Sequence, residues 1–329
     1  MHSKRNYTKY LAILFGAIFL VAAAFLGLAV WESRQAPPAG PELPMDMITY
    51  QGKEYVPNEQ VETFLIIGLD RFADSNVSAS HGTGVQADFL MLLAFDEESK
   101  TCEAIQINRD SMTRVNKLAV GGTSVVGTYD AQVALAYNYV NDDNDKIRCR
   151  NTIDAVEALL EGVHVDHYFA LTMDAVGASS DVVGGVEVTV LDDFTGIDDT
   201  LIKGQKITLS AEQALRYVRT RYGMEDSSNS ARMARQQQYI TAWHDKVTQK
   251  INADENFILE LVDTMDDHVV YDSSDRKLQK FAEQYSDYEF LGIRELEGQS
   301  LVGDEFVEFH VDKDAALETV IELFYVPKN

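Results

Sequence analysis

Arg216, Arg219, Arg221, Arg232 and Arg235 lie within one window of twenty residues. The chain around them is acidic: 53 aspartates and glutamates against 28 lysines and arginines give a net charge of −25 and a pI near 4.5. On that background clustered arginine is informative, because a guanidinium recognises phosphate through paired N–H donors held in a rigid fork. Arg219 and Arg221 stand two apart where a helix capped by Ser210 and Gln213 should end, so both can point to one pocket. Arg232 and Arg235 are three apart and share a face of the next helix. A solvated basic face pairing with surface acids is the competing reading of the same residues.

Acids and further arginines stand at the ends of apolar runs. Asp70-Arg71 follows TFLIIGL (Thr63–Leu69), Asp88 precedes FLMLLAF (Phe89–Phe95), and Arg109-Asp110 follows EAIQIN (Glu103–Asn108). Ligands of open α/β sheets bind beyond the carboxyl ends of the strands. Two carboxylates there can hold magnesium, a hard cation that accepts one or two of them and completes its shell with water and phosphate oxygens. Each aspartate alone reads equally well as a turn or cap.

Other chemistries lack their residues. The seven histidines show no metal-ligand spacing; His164 and His167 share a helical spacing without a third partner. There is no nucleophile elbow, Walker loop or dinucleotide fingerprint. Two cysteines, Cys102 and Cys149, exclude a disulfide-rich scaffold and a four-cysteine zinc site, and leave open whether they pair. The net charge of −25 opposes general binding of nucleic acid.

The elements that must position these residues follow from periodicity. The three apolar runs, with His167–Leu171 and Val186–Val190, read as buried strands. Helical patterns fall at 131–141, 151–161, 174–182, 210–219, 230–251, 255–266, 275–284 and 313–324. Two late strands, Glu289–Arg294 and Phe306–Val311, should extend the sheet. The sum is a three-layer α/β/α domain with a central mixed sheet over residues 61–329, its motifs in 86–240 and a C-terminal extension in 241–329. Leu11–Trp31 carries no charge and is long enough, at about 31 Å of helix, to cross a bilayer. Lys4, Arg5 and Lys9 precede it, so residues 1–10 read as a cytoplasmic tail and the rest as extracytoplasmic. Residues 32–60, with Pro37, Pro38, Pro41 and Pro44, read as a linker.

The order LIIGLD, an aspartate before an apolar strand, INRD, DVVGGVEVTV, KGQKITLSAEQALRYVRTR and ARMARQQQYITAW resembles the LytR-CpsA-Psr (LCP) family, across roughly residues 61–325. The run from Gly204 to Gln237, with its Arg-x-Arg and Arg-x-x-Arg-Gln-Gln, is the most specific part. The resemblance implies a membrane-anchored, magnesium-dependent phosphotransferase. Such an enzyme moves a glycopolymer, teichoic acid or capsule among others, from a polyprenyl-pyrophosphate carrier to peptidoglycan. It implies Asp70 and Asp88 as holders of Mg2+, and Asp88, Arg109, Arg219 and Arg221 as the catalytic set. Arg109, Arg219 and Arg221 would clamp the pyrophosphate, with Arg71, Arg232 and Gln236 lining the same site. It also implies a single-pass protein of a Gram-positive-type cell membrane.

The chain departs from the family pattern at three places. Gln86-Ala87-Asp88 stands for Arg-Ser-Asp, Gln132 through Tyr137 for Lys-Ile-Asn-x-Ala-Tyr, and Asn229 for an aspartate. These softened positions keep a second reading alive, a non-catalytic binder of wall glycan or polyprenyl pyrophosphate. A transcriptional regulator is disfavoured by the charge. The apolar run 11–31 is of spanning length and ends without a small-x-small cleavage site, so the anchor should persist in the mature protein. N-terminal sequencing of cell-surface material checks this, and a mature start between residues 25 and 45 would refute it.

Overall fold

A computed structural model describes residues 47–72, 84–122, 124–140, 143–254, 257–271, 284–285, 288–303 and 306–328. The expected membrane segment 11–31, its tail 1–10 and the helix expected at 275–284, save its last residue, lie outside them. Among the described residues no helix is long and apolar enough to cross a membrane.

In chain order the elements are β1 (Ile48–Tyr50), β2 (Lys53–Pro57), β3 (Val61–Leu69), β4 (Ala87–Asp96), β5 (Thr101–Ile107), β6 (Met112–Leu118) and β7 (Val125–Gln132). There follow α1 (Asp145–Leu159), β8 (His167–Leu171), α2 (Asp174–Val182), β9 (Val186–Thr189), β10 (Lys206–Leu209), α3 (Ala211–Arg219), α4 (Asn229–Ala253) and α5 (Phe257–Met265). The chain closes with β11 (Val269–Tyr271), β12 (Glu289–Glu295), β13 (Gly298–Val302), β14 (Val307–Val311), α6 (Lys313–Phe324) and β15 (Tyr325–Pro327).

The central sheet runs β11-β8-β3-β4-β5-β12. Its middle is an antiparallel meander of β3, β4 and β5; β8 lies parallel to β3, and β12 parallel to β5. This is the mixed sheet expected from the sequence. Alternation along the strands builds two layers. Leu65, Ile67, Leu90, Leu92 and Ile105 pack with Cys149, Ile153 and Val156 of α1 and Val320 and Phe324 of α6. Phe64, Ile66, Met91 and Leu93 face the other way, toward the layer of α2 to α5. Cys102 and Cys149 are buried in opposite layers, so no disulfide joins them.

Several expectations are corrected, most by a partner distant in sequence. From residue 47 on the linker is ordered: β1 pairs with β2, β2 pairs with β15 at the far end of the chain, and Ile48, Tyr50 and Tyr55 pack on the core. The helix expected at 131–141 is a strand and a turn. Gln132 ends β7, which pairs with β6, and only Val133–Tyr137 coils, as a 3-10 turn. The helix expected from 151 starts at Asp145, where the Asn144 side chain accepts from the Lys146 amide at 3.0 Å. Glu289–Arg294 joins the central sheet as β12, whereas Phe306–Val311 supplies β14, which pairs with β13 in a separate hairpin.

Burial, with Glu157 nearby, pushes the Asp154 carboxyl of α1 up to about 6, against the pull of Arg150, Asn116 and Arg114. The native form therefore keeps a proton that the unfolded chain has already lost, so this residue subtracts stability as pH rises from about 4 to about 6. Asp154→Asn should flatten that slope and stabilise the protein at pH 7 by about 1–3 kcal/mol. Thermal melts of both forms across this range give the comparison; parallel curves would contradict it.

Candidate functional site

The site forms at one edge of the central sheet, where β3 ends, β4 begins, β5 ends and β8 ends. The antiparallel meander brings these points together, so residues far apart in sequence share one rim. Asp70 follows β3, and its amide donates to the Gln86 carbonyl at 2.9 Å, directly ahead of β4. Asp88 owes its direction to a bulge. Gly68 pairs with Phe89 and Leu69 with Ala87, which leaves Asp88 without a register partner. Ala87 thereby takes the place in the α1 layer that regular alternation would give Asp88. The carboxylate of Asp88 is turned instead to Arg232 of α4, in the opposite layer. Gly68 is required there, because a Cβ would lie 2.8 Å from that of Phe89.

The arginines arrive from three elements and close an ion-pair chain. Arg109, just beyond β5, donates to Asp88 and to Gln86, and Arg232 meets Asp88 at 3.2 Å. The Arg109 Nε lies 3.3 Å from Asp110, whose other carboxylate oxygen is 3.4 Å from Arg221. Arg219 meets Asp70 at 3.2 Å. Burial, then the like charges of Arg109 and Arg221, lower the Arg232 pKa, while Asp88 and Asp110 oppose them. The three guanidinium groups are thus close enough to feel one another.

Helix α3 delivers Arg219 and Arg221 through two devices. At its start the Ser210 hydroxyl accepts from the Gln213 amide at 3.3 Å while the Gln213 side chain accepts from the Ser210 amide at 3.0 Å, the box read from the sequence. At its end Arg235, wholly buried on α4, donates to the carbonyls of Tyr217 at 2.9 Å and Thr220 at 2.5 Å and pairs with Asp192 at 3.0 Å. These are carbonyls that a helix terminus leaves without internal partners. Arg235 therefore fixes the segment that carries the two site arginines and does not face the ligand side itself. Arg216 pairs with Asp198 and Glu212, away from the site.

Gln236 bridges β5 and α3: its oxygen accepts from Gln106 at 3.0 Å and its amide donates to the Val218 carbonyl at 3.2 Å. Arg71 is drawn to the other side of the rim, where it is bidentate with Asp145 of α1 at 3.0 and 2.5 Å. The hydroxyl of Tyr137 donates to the same carboxylate at 2.6 Å. Asn229, the first residue of α4, donates to Asn108 at 2.7 Å and accepts from Arg232.

Two properties define what this rim can do. Among the described residues the Nε–H groups of Arg71, Arg221 and Arg232 are buried without an aligned hydrogen-bond acceptor, and that of Arg109 has only the Asp110 carboxylate at 3.3 Å. Such donors cost about 1–3 kcal/mol each unless something accepts from them, and a phosphate offers several acceptor oxygens. Behind the rim lies an apolar cavity of about 230 Å³ between the sheet and α2, α3 and α4, closed at depth by Trp243 and Met265, with Asp88, Arg219, Arg232 and Gln236 in its wall. An anionic head with a long apolar tail fits both parts.

The structure brings together Asp70, Asp88, Arg109, Arg219, Arg221, Arg232 and Gln236 as the sequence suggested, and sets Arg71 on the opposite flank. Sequence reasoning gave no role to Asp110, which joins Arg109 to Arg221, or to the Asp145–Tyr137 pair that holds Arg71. The only signal for Asp110 was its place beside Arg109 at a strand end.

A mixed sheet with an arginine-rich rim over an apolar chamber defines a domain suited to an amphipathic anion. A sequence profile of the LytR_cpsA_psr family matches residues 44–323, and the chain belongs to that family. Biofilm regulatory protein A of Streptococcus mutans is 26% identical over 215 residues, which cover 63% of this chain and 48% of that protein. The chain thus spans about half the length of that relative. The polyisoprenyl-teichoic acid–peptidoglycan teichoic acid transferase TagU of Enterococcus faecalis is 24% identical over 299 residues, 84% of this chain and 83% of that one. The crystal structure of B. subtilis TagV shares the fold, with a TM-score of 0.58 at 23% identity over 80% of this chain and 97% of the other.

Proposed function

We propose that the protein is a membrane-anchored phosphotransferase that moves a glycopolymer from a polyprenyl-pyrophosphate carrier to peptidoglycan. The observation that carries this reading is the cluster of Arg109, Arg219, Arg221 and Arg232 beside an apolar cavity whose wall includes Arg219 and Arg232. The pyrophosphate binds Arg109, Arg219, Arg221 and Arg232, the prenyl chain enters the cavity, and the glycan points outward. The acceptor hydroxyl oxygen bonds to the glycan-side phosphorus as the pyrophosphate bridge breaks. Polyprenyl phosphate leaves, and the hydroxyl proton passes to water. The arginines act mainly by neutralising charge on the transferring group, where fixed donors in a dry site are most effective. The teichoic acid transferase named among the relatives supports a wall polymer as cargo. An anchor at residues 11–31, with the N-terminus in the cytoplasm, keeps the domain beside its lipid-borne donor.

The residues present fit a magnesium ion. Among the described residues no group of three or more acidic, histidine or cysteine side chains gathers; of the rim carboxylates, Asp110 is buried between Arg109 and Arg221, and Asp70 and Asp88 are the two that would hold the ion. That is the set Mg2+ takes when phosphate oxygens and water complete its shell. When bound, the ion would offset the negative charge of the pyrophosphate. Both carboxylates are paired with arginine. Phosphate would draw those arginines away and release the carboxylates.

A second reading, a binder without turnover, draws on Gln86, a neutral residue in contact with Arg109. Incubating the full chain with a polyprenyl-pyrophosphate glycan, magnesium and peptidoglycan oligomers separates the two, since only the transferase yields a covalent glycan–peptidoglycan product.

Arg219→Ala and Arg221→Ala should each reduce transfer about 10- to 150-fold, the value of about 1.5–3 kcal/mol for a charge-assisted phosphate contact, with the fold retained. Wild-type rates in both variants would remove them from the site. Magnesium should bind at least about tenfold more tightly with a non-hydrolysable pyrophosphate analogue than without, by the exchange of partners described above. Asp88→Asn should abolish that enhancement in calorimetric titration and also lower the melting temperature, because Arg232 and Arg109 lose their shared charge partner. An unchanged titration with a lowered melting temperature would instead make Asp88 a structural cap.

A further inference from the structure

Asp110 is 3% exposed, yet three groups converge on it. Gln132 donates to its Oδ1 at 3.0 Å, the Arg109 Nε lies 3.3 Å from the same oxygen, and Arg221 approaches Oδ2 at 3.4 Å. Arg109 comes from the end of β5 and Arg221 from the connection between α3 and α4, and their like charges oppose close approach. A buried carboxylate between them offsets that repulsion and fixes their separation. Gln132 has a double duty. The same Nε2 that donates to Asp110 donates to the Val307 carbonyl at 2.7 Å, and the Phe309 amide donates to the Asp110 carbonyl at 2.8 Å. The carboxylate that gathers two site arginines is therefore tied to the C-terminal hairpin β13–β14.

We propose that Asp110 and Gln132 are positioning residues that set the spread of Arg109 and Arg221 to match the two phosphates of a pyrophosphate, with β14 as their fixed abutment. The role rests on the arginine site described under the proposed function. Neither residue touches the donor: Asp110 is covered by the arginines themselves, and the amide of Gln132 faces two oxygen acceptors. Because Nε2 meets only acceptors, a purely donating group can replace it. An ammonium keeps both contacts and adds a charge beside Asp110, whereas a hydrocarbon of similar size loses both.

Calorimetric titration of the full chain with inorganic pyrophosphate tests this, well below the melting temperature of each variant. Gln132→Leu should weaken binding about tenfold or more, the loss of a hydrogen bond to a charged group. Gln132→Lys should bind at least as tightly as wild type. Asp110→Asn should weaken binding more than Gln132→Leu, because both arginines lose their shared charge. A merely structural role predicts that melting temperature follows the loss of packing while affinity at low temperature stays constant. Gln132→Leu binding like wild type would overturn the proposal. Should Gln132→Leu fail to fold, Gln132→Lys decides: folded protein with affinity at or above wild type supports the proposal, and a marked loss overturns it. Wild-type protein that binds no pyrophosphate would refute the arginine site itself, a failure distinct from that of the positioning pair.

Discussion

Everything at the working edge of this domain depends on how guanidinium groups are kept charged away from water. Arg232 is almost wholly buried, and burial alone disfavours its charge. Asp88 makes that position tolerable by accepting from Arg232 and Arg109 together. Its ability to do so comes from a bulge of one residue, which turns the carboxylate across the sheet edge. Removing one partner from such a pair leaves an uncompensated buried charge, commonly at a cost of about 3–5 kcal/mol. The ion-pair chain from Arg232 through Asp88, Arg109 and Asp110 to Arg221 is therefore held together by mutual need.

The same chain explains how one rim can hold opposite charges and still receive an anion. Each acid is covered by arginine, and among the described residues several Nε–H groups are buried without an aligned acceptor. The scaffold tolerates this because other residues, Arg235 above all, carry the structural work of fixing α3 against α4. Five arginines close in sequence thus divide into three settings: Arg219, Arg221 and Arg232 pair with acids at the rim, Arg235 supports the end of α3, and Arg216 pairs with surface acids.

What could be read from the sequence was mostly what residue type and short-range period determine. The apolar runs became β3, β4 and β5, the Ser210–Gln213 box capped α3 as read, and helix 174–182 matched to the residue. The acids and arginines at strand ends met because a meander of antiparallel strands returns to one edge. The misses were mostly matters of distant pairing, the early start of α1 at its Asn144 cap excepted. β2 is completed by β15 from the other end of the chain, and β7 takes strand form because β6 is beside it. The bulge at Asp88 is a property of register, which no run of residue types discloses. The bond from Gln132 to Val307 spans 175 positions.

The pairing of β2 with β15 has a further consequence. It places the described start of the chain at the foot of β3, where Asn58 meets Phe324, whereas the arginines stand at the head of the same strand. Nine residues of β3 separate the two ends by about 30 Å. For a chain anchored by residues 11–31, an upright domain would hold its cavity that far above the lipid surface, out of reach of a carrier headgroup. The fifteen residues 32–46 span at most about 50 Å when fully extended. On the proposed anchoring by residues 11–31, that length exceeds the height of the sheet, so a domain tipped onto its side could bring its rim to the bilayer. On the same reading, deleting residues from 32–46 would leave every site contact in place and still hold the rim away from a lipid-borne donor.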